Sequence, residues 1–288
     1  MFTRQRIDGL QAALGDDVLQ FVPELVVCAG IVLLLLARLV RGLDRTHLGG
    51  IAIGTLVVAG FAAVYAYPDI SRSSRSASLF TGMLVADRLG GFIRVLVLAA
   101  ALVTVLLTRA TGLPDADDSA DFYALLLGGT LGMMLMASAN HLLMAFVAVE
   151  MASLPSYALA GFLKGKRTGG EAALKYVVFG AGASGVMLYG ISLVAGTFGT
   201  GYLPDVAAGA AARLAGHGGF DPFLLAGVVL TLVGLGFKLS AVPFHFWCPD
   251  VFAGAAAEVA GFLSVASKAA AVGLTVRLLY DLHAASPD

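Results

Sequence analysis

The sequence predicts an all-α polytopic membrane protein with about eight transmembrane helices. Hydrophobic residues make up 59% of the 288 residues, charged residues make up 13%, and the mean hydropathy is +0.89. This balance differs strongly from that of a water-soluble domain. The apolar residues fall in runs of about 20, the length that a helix needs to cross a bilayer. The 36 glycines suit tight helix packing, because small residues let helices approach closely in lipid.

Eight apolar segments account for the predicted helices. They are Phe21–Ala37, Ile51–Tyr67, Phe92–Leu107, Phe122–Ala137, Leu142–Leu163, Ala172–Phe198, Phe223–Ala257 and Glu258–Leu282. The N-terminus lacks a basic region followed by a cleavage site, so the first helix is expected to stay in the mature protein. Only SANH separates the fourth and fifth segments, which implies an antiparallel pair. The serine-rich stretch around Arg72 and Arg75 is expected to be a loop, and the Gly/Ala/Pro stretch before Phe223 a low-complexity linker.

The seventh segment is too long for one straight helix. It stays apolar for about 35 residues, whereas one crossing needs about 20. Pro243 removes a backbone donor and clashes with the preceding turn. We therefore predict a helix that breaks near Val242, resumes briefly and turns at Cys248–Gly254. Irregular backbone at this depth is tolerated where it lines a wet cavity or is packed by protein, so the break is expected to make room for water.

Four ionisable side chains stand out inside the predicted spans: Glu150, Lys175, Lys238 and Lys268. Each costs roughly 2.5 to 3.5 kcal/mol at membrane depth, so the default interpretation is functional, with the groups paired and facing a polar interior. Burial disfavours the charged form of a lysine, so Lys268 is suited to exchange a proton near neutral pH.

Simpler roles remain open for several polar side chains. Lys175 is near enough to a loop to extend its ammonium to the interface, and Glu150 with Lys175 can equally be a structural ion pair. His245 can simply donate to a carbonyl that Pro243 leaves unpartnered, and Asp250 can be a loop residue or a helix cap.

Two further charges near helix starts are expected to have local roles. Glu24 is predicted to be a helix-start carboxylate and Arg94 an interfacial anchor. The chain has no HExxH, CxxC or phosphate-loop motif, and Cys28 and Cys248 lie in apolar surroundings. We therefore expect no metal, redox centre or cofactor on this chain. The net charge of −1 gives no footprint for nucleic acid.

Four stretches resemble a known family: EMASLPSYALAGFL, GGEAALKYVVFGAGASGVMLYGISLVAGTFGT, GLGFKLSAVPFHFWCPDVFAGA and FLSVASKAAAVG. Together they resemble the antiporter-like membrane subunits of respiratory complex I, the proton-pumping NADH:quinone oxidoreductase. The likeness covers Leu142 to Gly273, and spans one to three share only the pattern.

The resemblance implies roles for individual residues. Glu150 matches the fifth-span glutamate and Lys175 the sixth-span lysine that pairs with it. Lys238 matches the lysine beside the interruption, and Lys268 the eighth-span lysine of the central hydrophilic axis. His245 falls in the PFH element. The implied mechanism opens the Glu150 and Lys175 pair and passes protons among the three lysines through water.

The resemblance also implies an architecture of two inverted five-helix repeats. Residues 1–121 would hold spans one to three and residues 122–288 the first repeat. The second repeat is expected to be absent, which makes the chain a fragment, a truncated reading frame or half of a split subunit.

By the same resemblance, the chain is expected to be a proton-translocating subunit of the oxidoreductase. NADH and a quinone would be used by the complex, and other membrane-arm subunits, the lipid bilayer and a second polypeptide supplying the missing repeat would be its partners. Two alternatives stay open: a subunit of a multisubunit cation/proton antiporter, and a structural spacer of the membrane arm.

The expected location is the inner membrane of a bacterium. The basic residues in the loops after spans one, three, five and seven are Arg38, Arg41, Arg45, Arg109, Lys164, Lys166 and Arg167. Those on the other side are Arg4, Arg6, Arg72, Arg75, Arg88 and Arg213. Because loops rich in Lys and Arg face the cytoplasm, the small excess of basic residues in the first set predicts an external N-terminus.

Overall fold

The computed structural model describes residues 14–40, 46–72, 77–163, 165–215 and 221–285, and these residues are mainly helical. The helices are α1 Val22–Leu39, α2 Gly49–Arg72, α3 Arg88–Thr111, α4 Ser119–Ser138, α5 Leu142–Ala160, α6 Arg167–Phe198, α7 Leu203–Ala215, α8 Pro222–Leu239, α9 Trp247–Gly254, α10 Ala257–Phe262 and α11 Lys268–Ala285. A helical segment at 14–20 precedes α1. A π-helical turn, Leu263–Ser267, joins α10 to α11.

In the described part of the chain, 8 helices are long and apolar enough to cross a membrane, which confirms the predicted fold class. They correspond to α1 to α6, α8 and the joined α10–α11. The most buried of them is α4, which packs against α1, α3, α5 and α11. A helix that is apolar all round is suited to such a central position.

The antiparallel pair predicted from SANH is present as α4 and α5. Gly132 permits their close approach, since a Cβ at this position would lie 2.3 Å from the backbone nitrogen of Ala152. The link itself is held by isolated bridges from Ala139 to Leu84 and from His141 to Tyr202.

Two elements were not predicted. The presumed linker before Phe223 contains α7, whose apolar residues Leu203, Ala207 and Ala211 are buried at a spacing of four residues. Its alanines favour a helix, and α7 packs on α11. The stretch expected to be a loop around Arg72 and Arg75 begins with Arg72 in α2 instead, and residues 73–76 lie outside the described residues. Beyond them, β1 (Ala77–Leu79) pairs antiparallel with β2 (Leu84–Ala86).

The seventh span is discontinuous as predicted, but the break comes earlier in the chain. Helix α8 ends at Leu239, and Ser240 adopts the left-handed conformation with φ 56°. The backbone N–H of Ala241 then donates to the carbonyl of Gly236 at 2.8 Å, a C-cap that closes the helix before Pro243 is reached. The predicted turn at Cys248–Gly254 is wrong, because these residues lie in α9.

The expected local roles of Glu24 and Arg94 are also wrong in part. Glu24 lies in the first turn of α1 as predicted, but both side chains are buried and form an ion pair, with Arg94 Nε 2.7 Å from Glu24 Oε1. The Arg94 guanidinium also donates to Ser138 Oγ at 3.4 Å. A buried guanidinium requires a carboxylate partner, so Arg94 is drawn inward instead of reaching the interface.

A second buried arginine secures the same end of α4. Arg277 on α11 donates to both carboxylate oxygens of Asp87, at 2.7 and 2.9 Å, and to the carbonyl of Ala137 at 2.6 Å. Asp87 also caps α3 by accepting from the N–H of Gly90. This contact joins α3, α4 and α11.

Arg4, Arg6, Arg41, Arg45, Arg75 and Lys164, which entered the orientation prediction, lie outside the described residues. The external N-terminus stays a prediction.

Candidate functional site: a lysine axis at the helix break

Lys238 lies in the last turn of α8 and is only 1% exposed. Its ammonium donates to Ser153 Oγ on α5 at 2.9 Å. Ser153 follows Glu150 by three residues, so the two side chains lie one turn apart on the same face of α5. Glu150 is therefore the carboxylate close enough to act electrostatically on Lys238.

Glu150 is partly buried near the middle of α5. Its carboxylate accepts a hydrogen bond from Ser184 Oγ on α6. The acid is thereby held between α5 and α6, and α6 in turn packs extensively against α8.

Lys268 is the first residue of α11, directly after the π-helical turn. Its ammonium donates to the backbone carbonyl of Lys238 at 3.0 Å and to Ser240 Oγ, and lies 4.8 Å from the ring centroid of Trp247. All three acceptors are uncharged. The break in α8 leaves the Lys238 carbonyl free to accept, and the partial negative charge at a helix C-terminus favours a cation there.

Aromatic packing fixes the position of Trp247. Its ring stacks on Tyr176 with centroids 4.3 Å apart and planes 8° apart, and the Phe237 ring lies 5.0 Å away. Trp247 and Tyr176 are both buried. The aromatic face under the Lys268 ammonium is thus held rigidly by α6 and α8.

Lys175 does not form the predicted pair with Glu150. Its ammonium lies 2.8 Å from Glu171 Oε1 and 2.7 Å from Asp250 Oδ2. The side chain of Lys175 is 38% exposed. Asp250, for which a loop or cap role had been expected, lies in the first turn of α9 and ties this helix to α6 through Lys175.

His245 lies in the segment between α8 and α9. Its ring stacks on Phe246 with centroids 4.8 Å apart, and its buried Nδ1 has no hydrogen-bond partner in the described part of the chain. The contact with a freed carbonyl, which was one expectation, is not formed through this nitrogen.

A cavity of about 450 Å³ opens beside the break, between α6 and the residues that follow α8. Its lining is apolar and includes Val178, Phe179, Phe244 and Phe246. Such a lining offers few partners for ordered water, so this cavity is not the wet one expected at the break. The polar atoms at the break surround the buried Lys238 and the partly buried Lys268.

The arrangement joins Lys268 to Lys238 by a direct contact and places Glu150 one helical turn from Ser153, the acceptor of the Lys238 ammonium. Lys175 pairs elsewhere, with Glu171 and Asp250. Groups of this kind can take up, hold and pass protons. In the described ranges, no group of three or more His, Cys, Asp or Glu side chains could hold a metal ion.

The sequence interpretation missed Ser153, Ser184, Ser240 and Trp247 as contacts of the buried charges. Only Ser153 carried a signal, since its spacing from Glu150 places it on the same helix face. The other three meet the charges through tertiary packing.

Residues 139–288, more than half of the chain, match the family described as NADH:quinone oxidoreductase/Mrp antiporter, transmembrane. Among curated relatives, NADH-quinone oxidoreductase subunit N 2 of Rhizobium meliloti is 38% identical over 94% of this chain and 54% of its own length. Subunit N of Moorella thermoacetica is 37% identical over 91% of this chain and 53% of its length. The chain spans about half the length of the curated relatives it matches.

Solved structures agree with this likeness. A chain of respiratory complex I from Thermus thermophilus is 32% identical, with a TM-score of 0.70 over 88% of this chain and 52% of that chain. A chain of the Mrp complex from Dietzia is 24% identical, with a TM-score of 0.74 over 92% of this chain and 49% of that chain. The second likeness shows the fold alone.

Proposed function

Because the chain belongs to the NADH:quinone oxidoreductase/Mrp antiporter transmembrane family, we propose that it is a proton-translocating membrane-arm subunit of an NADH:quinone oxidoreductase. Its relatives named subunit N support this choice within the family. Electron transfer from NADH to a quinone takes place in other subunits, and this chain moves protons. The observation that carries the proposal is the continuous contact from Lys268 through the Lys238 carbonyl, and from Lys238 to Ser153 beside Glu150.

The proposed mechanism uses Glu150 and Lys238 as an acid and a base that approach and separate. At an effective dielectric constant of about 20, an ion pair at about 4 Å gains about 4 kcal/mol before desolvation. Approach of Glu150 therefore favours the ammonium form of Lys238, and separation favours release of its proton. Lys268, whose Nζ contacts the backbone of Lys238, first releases its own proton onward to water. Its neutral amine then takes up the proton from Lys238 through intervening water.

In the proposed mechanism, Lys175 and His245 lie outside the group formed by Glu150, Lys238 and Lys268. Lys175 exchanges protons at the outer side of the relay, where Asp250 and Glu171 stabilise its ammonium. His245 supplies a ring nitrogen in the segment after the break. Both residues are expected to matter less than the three clustered groups, because neither contacts them.

We further propose that residues 1–121 form an N-terminal group of helices and residues 122–288 the first of two repeats. The second repeat would come from the remaining half of a subunit or from a second polypeptide, which is supported by the half-length match to the relatives. Other membrane-arm subunits and the lipids of a bacterial inner membrane are the proposed surroundings. The chain itself holds no redox centre in this proposal.

The test is proton pumping by the assembled complex in proteoliposomes. With NADH and a quinone supplied, a pH-sensitive dye should report internal acidification, and Glu150→Gln should reduce its initial rate at least about tenfold, which corresponds to about 1.4 kcal/mol. NADH oxidation with an artificial electron acceptor should be unchanged in Glu150→Gln, which controls for assembly. Normal pumping by this variant would remove Glu150 from the mechanism.

A second candidate is a subunit of a cation/proton antiporter, favoured by the matched family, whose description includes the Mrp antiporter. That reading predicts sodium efflux driven by a pH gradient in vesicles without NADH or quinone. A structural spacer predicts neither activity. The same vesicles therefore separate the three functions.

A further inference from the structure

We propose that Ser153 and Ser184 are positioning residues that hold the acid and the base of the relay apart. Ser153 accepts a hydrogen bond from the ammonium of Lys238. Ser184, on α6, donates a hydrogen bond to the carboxylate of Glu150 and keeps it close to α6. While the Glu150 carboxylate and the Lys238 ammonium are apart, each hydroxyl thus provides the hydrogen bond that the opposite charge would otherwise provide. This inference rests on the proposed function, because it concerns regulation of the same site.

The position of Lys238 is the first argument. Its side chain is only 1% exposed, yet no carboxylate forms an ion pair with it among the residues that the structure describes. A buried ammonium without an acceptor is strongly unfavourable. Ser153 Oγ, at 2.9 Å, is the side-chain acceptor that the fold supplies.

The Ser153 hydroxyl is oriented for this task. A serine hydroxyl has one hydrogen and two lone pairs. Its hydrogen is committed to the carbonyl of Val149 at 2.6 Å, within α5. The lone pairs therefore face Lys238, and the hydroxyl can accept from the ammonium at the same time.

Whereas Ser153 acts as an acceptor for the base, Ser184 acts as a hydrogen-bond donor to the acid. Its hydroxyl donates to Glu150 Oε1 from α6, and a hydrogen bond to a carboxylate stabilises the ionised form. The carboxylate of Glu150 is hydrogen-bonded to α6, and the ammonium of Lys238 is hydrogen-bonded to α5. The two charged groups are therefore held apart in this structure.

The other groups around Lys238 do not replace these hydroxyls. Its charged neighbours are Glu150, one helical turn from Ser153 on α5, and Lys268, whose ammonium contacts the Lys238 carbonyl. The ring of Tyr157, also on α5, packs on Tyr176. From α6 comes the uncharged ring of Tyr176, which stacks on Trp247 and lies against the neighbouring Phe237.

The experiment measures the pH profile of NADH-driven pumping by the assembled complex, normalised to assembled protein. Ser153→Ala removes the acceptor of the Lys238 ammonium, so Lys238 should lose its proton more readily. The decline of the pumping rate at high pH, the alkaline limb of the profile, should therefore shift by about one pH unit toward lower pH. Ser153→Thr retains a hydroxyl and should restore the profile. Ser156→Ala is the matched control, because Ser156 is also buried on α5 and donates to its own helix, to Ala152 at 2.6 Å.

Ser184→Ala provides a second variant with the opposite expectation. It frees Glu150 to approach Lys238, so the alkaline limb should shift toward higher pH. Ser192→Ala is its control, since Ser192 lies on α6 and donates to the Tyr189 carbonyl of the same helix. Simple loss of stability would not shift the two profiles in opposite directions.

The outcomes separate this inference from the proposed function. If Lys238→Met abolishes pumping while Ser153→Ala and Ser184→Ala match their controls, the positioning role is overturned and the proposed function stands. If Lys238→Met pumps normally, both are overturned. Opposite shifts in the two serine variants, with unchanged profiles in Ser156→Ala and Ser192→Ala, support the inference.

Discussion

The ammonium of Lys268 donates a hydrogen bond to the backbone carbonyl of Lys238, with 3.0 Å between nitrogen and oxygen. The partly buried Lys268 is thus held by the main chain of the buried Lys238, at the point where α8 ends. Any movement of this helix end displaces the side chain of Lys238 and the acceptor of Lys268 together. The break therefore couples the two lysines mechanically as well as electrostatically.

Trp247 should be important because its ring lies under the Lys268 ammonium at 4.8 Å. Trp247→Leu removes the aromatic face, and loss of a desolvated cation–π contact of about 2 kcal/mol would lower the pumping rate by roughly tenfold or more. Trp247→Phe keeps an aromatic ring and should retain most activity. Equal rates for the two variants in proteoliposomes would show that the ring only fills space.

Lys175 and Lys238 should differ strongly when each is replaced by alanine. Lys238 is buried and contacts Ser153, whereas Lys175 is partly exposed and pairs with Glu171 and Asp250. We expect Lys238→Ala to abolish pumping and Lys175→Ala to leave a substantial fraction of it. Initial rates of dye quenching measure both, and a greater loss in Lys175→Ala would contradict the assignment of Lys175 to an outer position.

Arg277 should be a major determinant of stability rather than of pumping. Removing it leaves Asp87 and the Ala137 carbonyl without their buried partner, which costs about 3 to 5 kcal/mol. Arg213→Ala is a suitable comparison, because Arg213 pairs with Asp221 near the surface and such pairs contribute about 0 to 1 kcal/mol. Unfolding in detergent should therefore separate the two variants clearly, and equal destabilisation would argue against the role given to Arg277.

The ion pair of Glu24 and Arg94 offers a double-mutant test. Arg94→Met leaves a fully buried carboxylate and should destabilise the chain by about 3 to 5 kcal/mol, whereas adding Glu24→Gln should recover much of that loss. Thermal unfolding of the wild type, the single variants and the double variant gives the coupling. Additive losses would mean that the two side chains do not act as a pair.

The fold was largely accessible from the sequence because lipid imposes a simple rule. Apolar runs of about 20 residues must become helices whose backbone groups are satisfied internally, and the described ranges contain eight such helices. Helix α7 escaped prediction because its 13 residues are too few to cross a membrane and its alanine-rich composition was interpreted as a linker. The end of α8 at Leu239 depends on Ser240 in a left-handed conformation, which local sequence rarely reveals.

The candidate site was accessible only in part. Glu150, Lys238 and Lys268 stood out because charges are costly inside a membrane, and the structure brings them together. The pairing of Glu150 with Lys175 was wrong because the phase of α6 relative to α5 depends on packing. A glycine contributes here: a Cβ at Gly180 of α6 would clash with the hydroxyl of Tyr157 on α5.

A cryo-electron microscopy map of the assembled complex, at a resolution that shows ordered water, tests the central claim most directly. The account predicts that Glu150, Lys238 and Lys268 face one interior and that water density joins the ammonium groups of the two lysines. Dry apolar packing between the lysines, or any of the three charged side chains turned toward lipid, would contradict it.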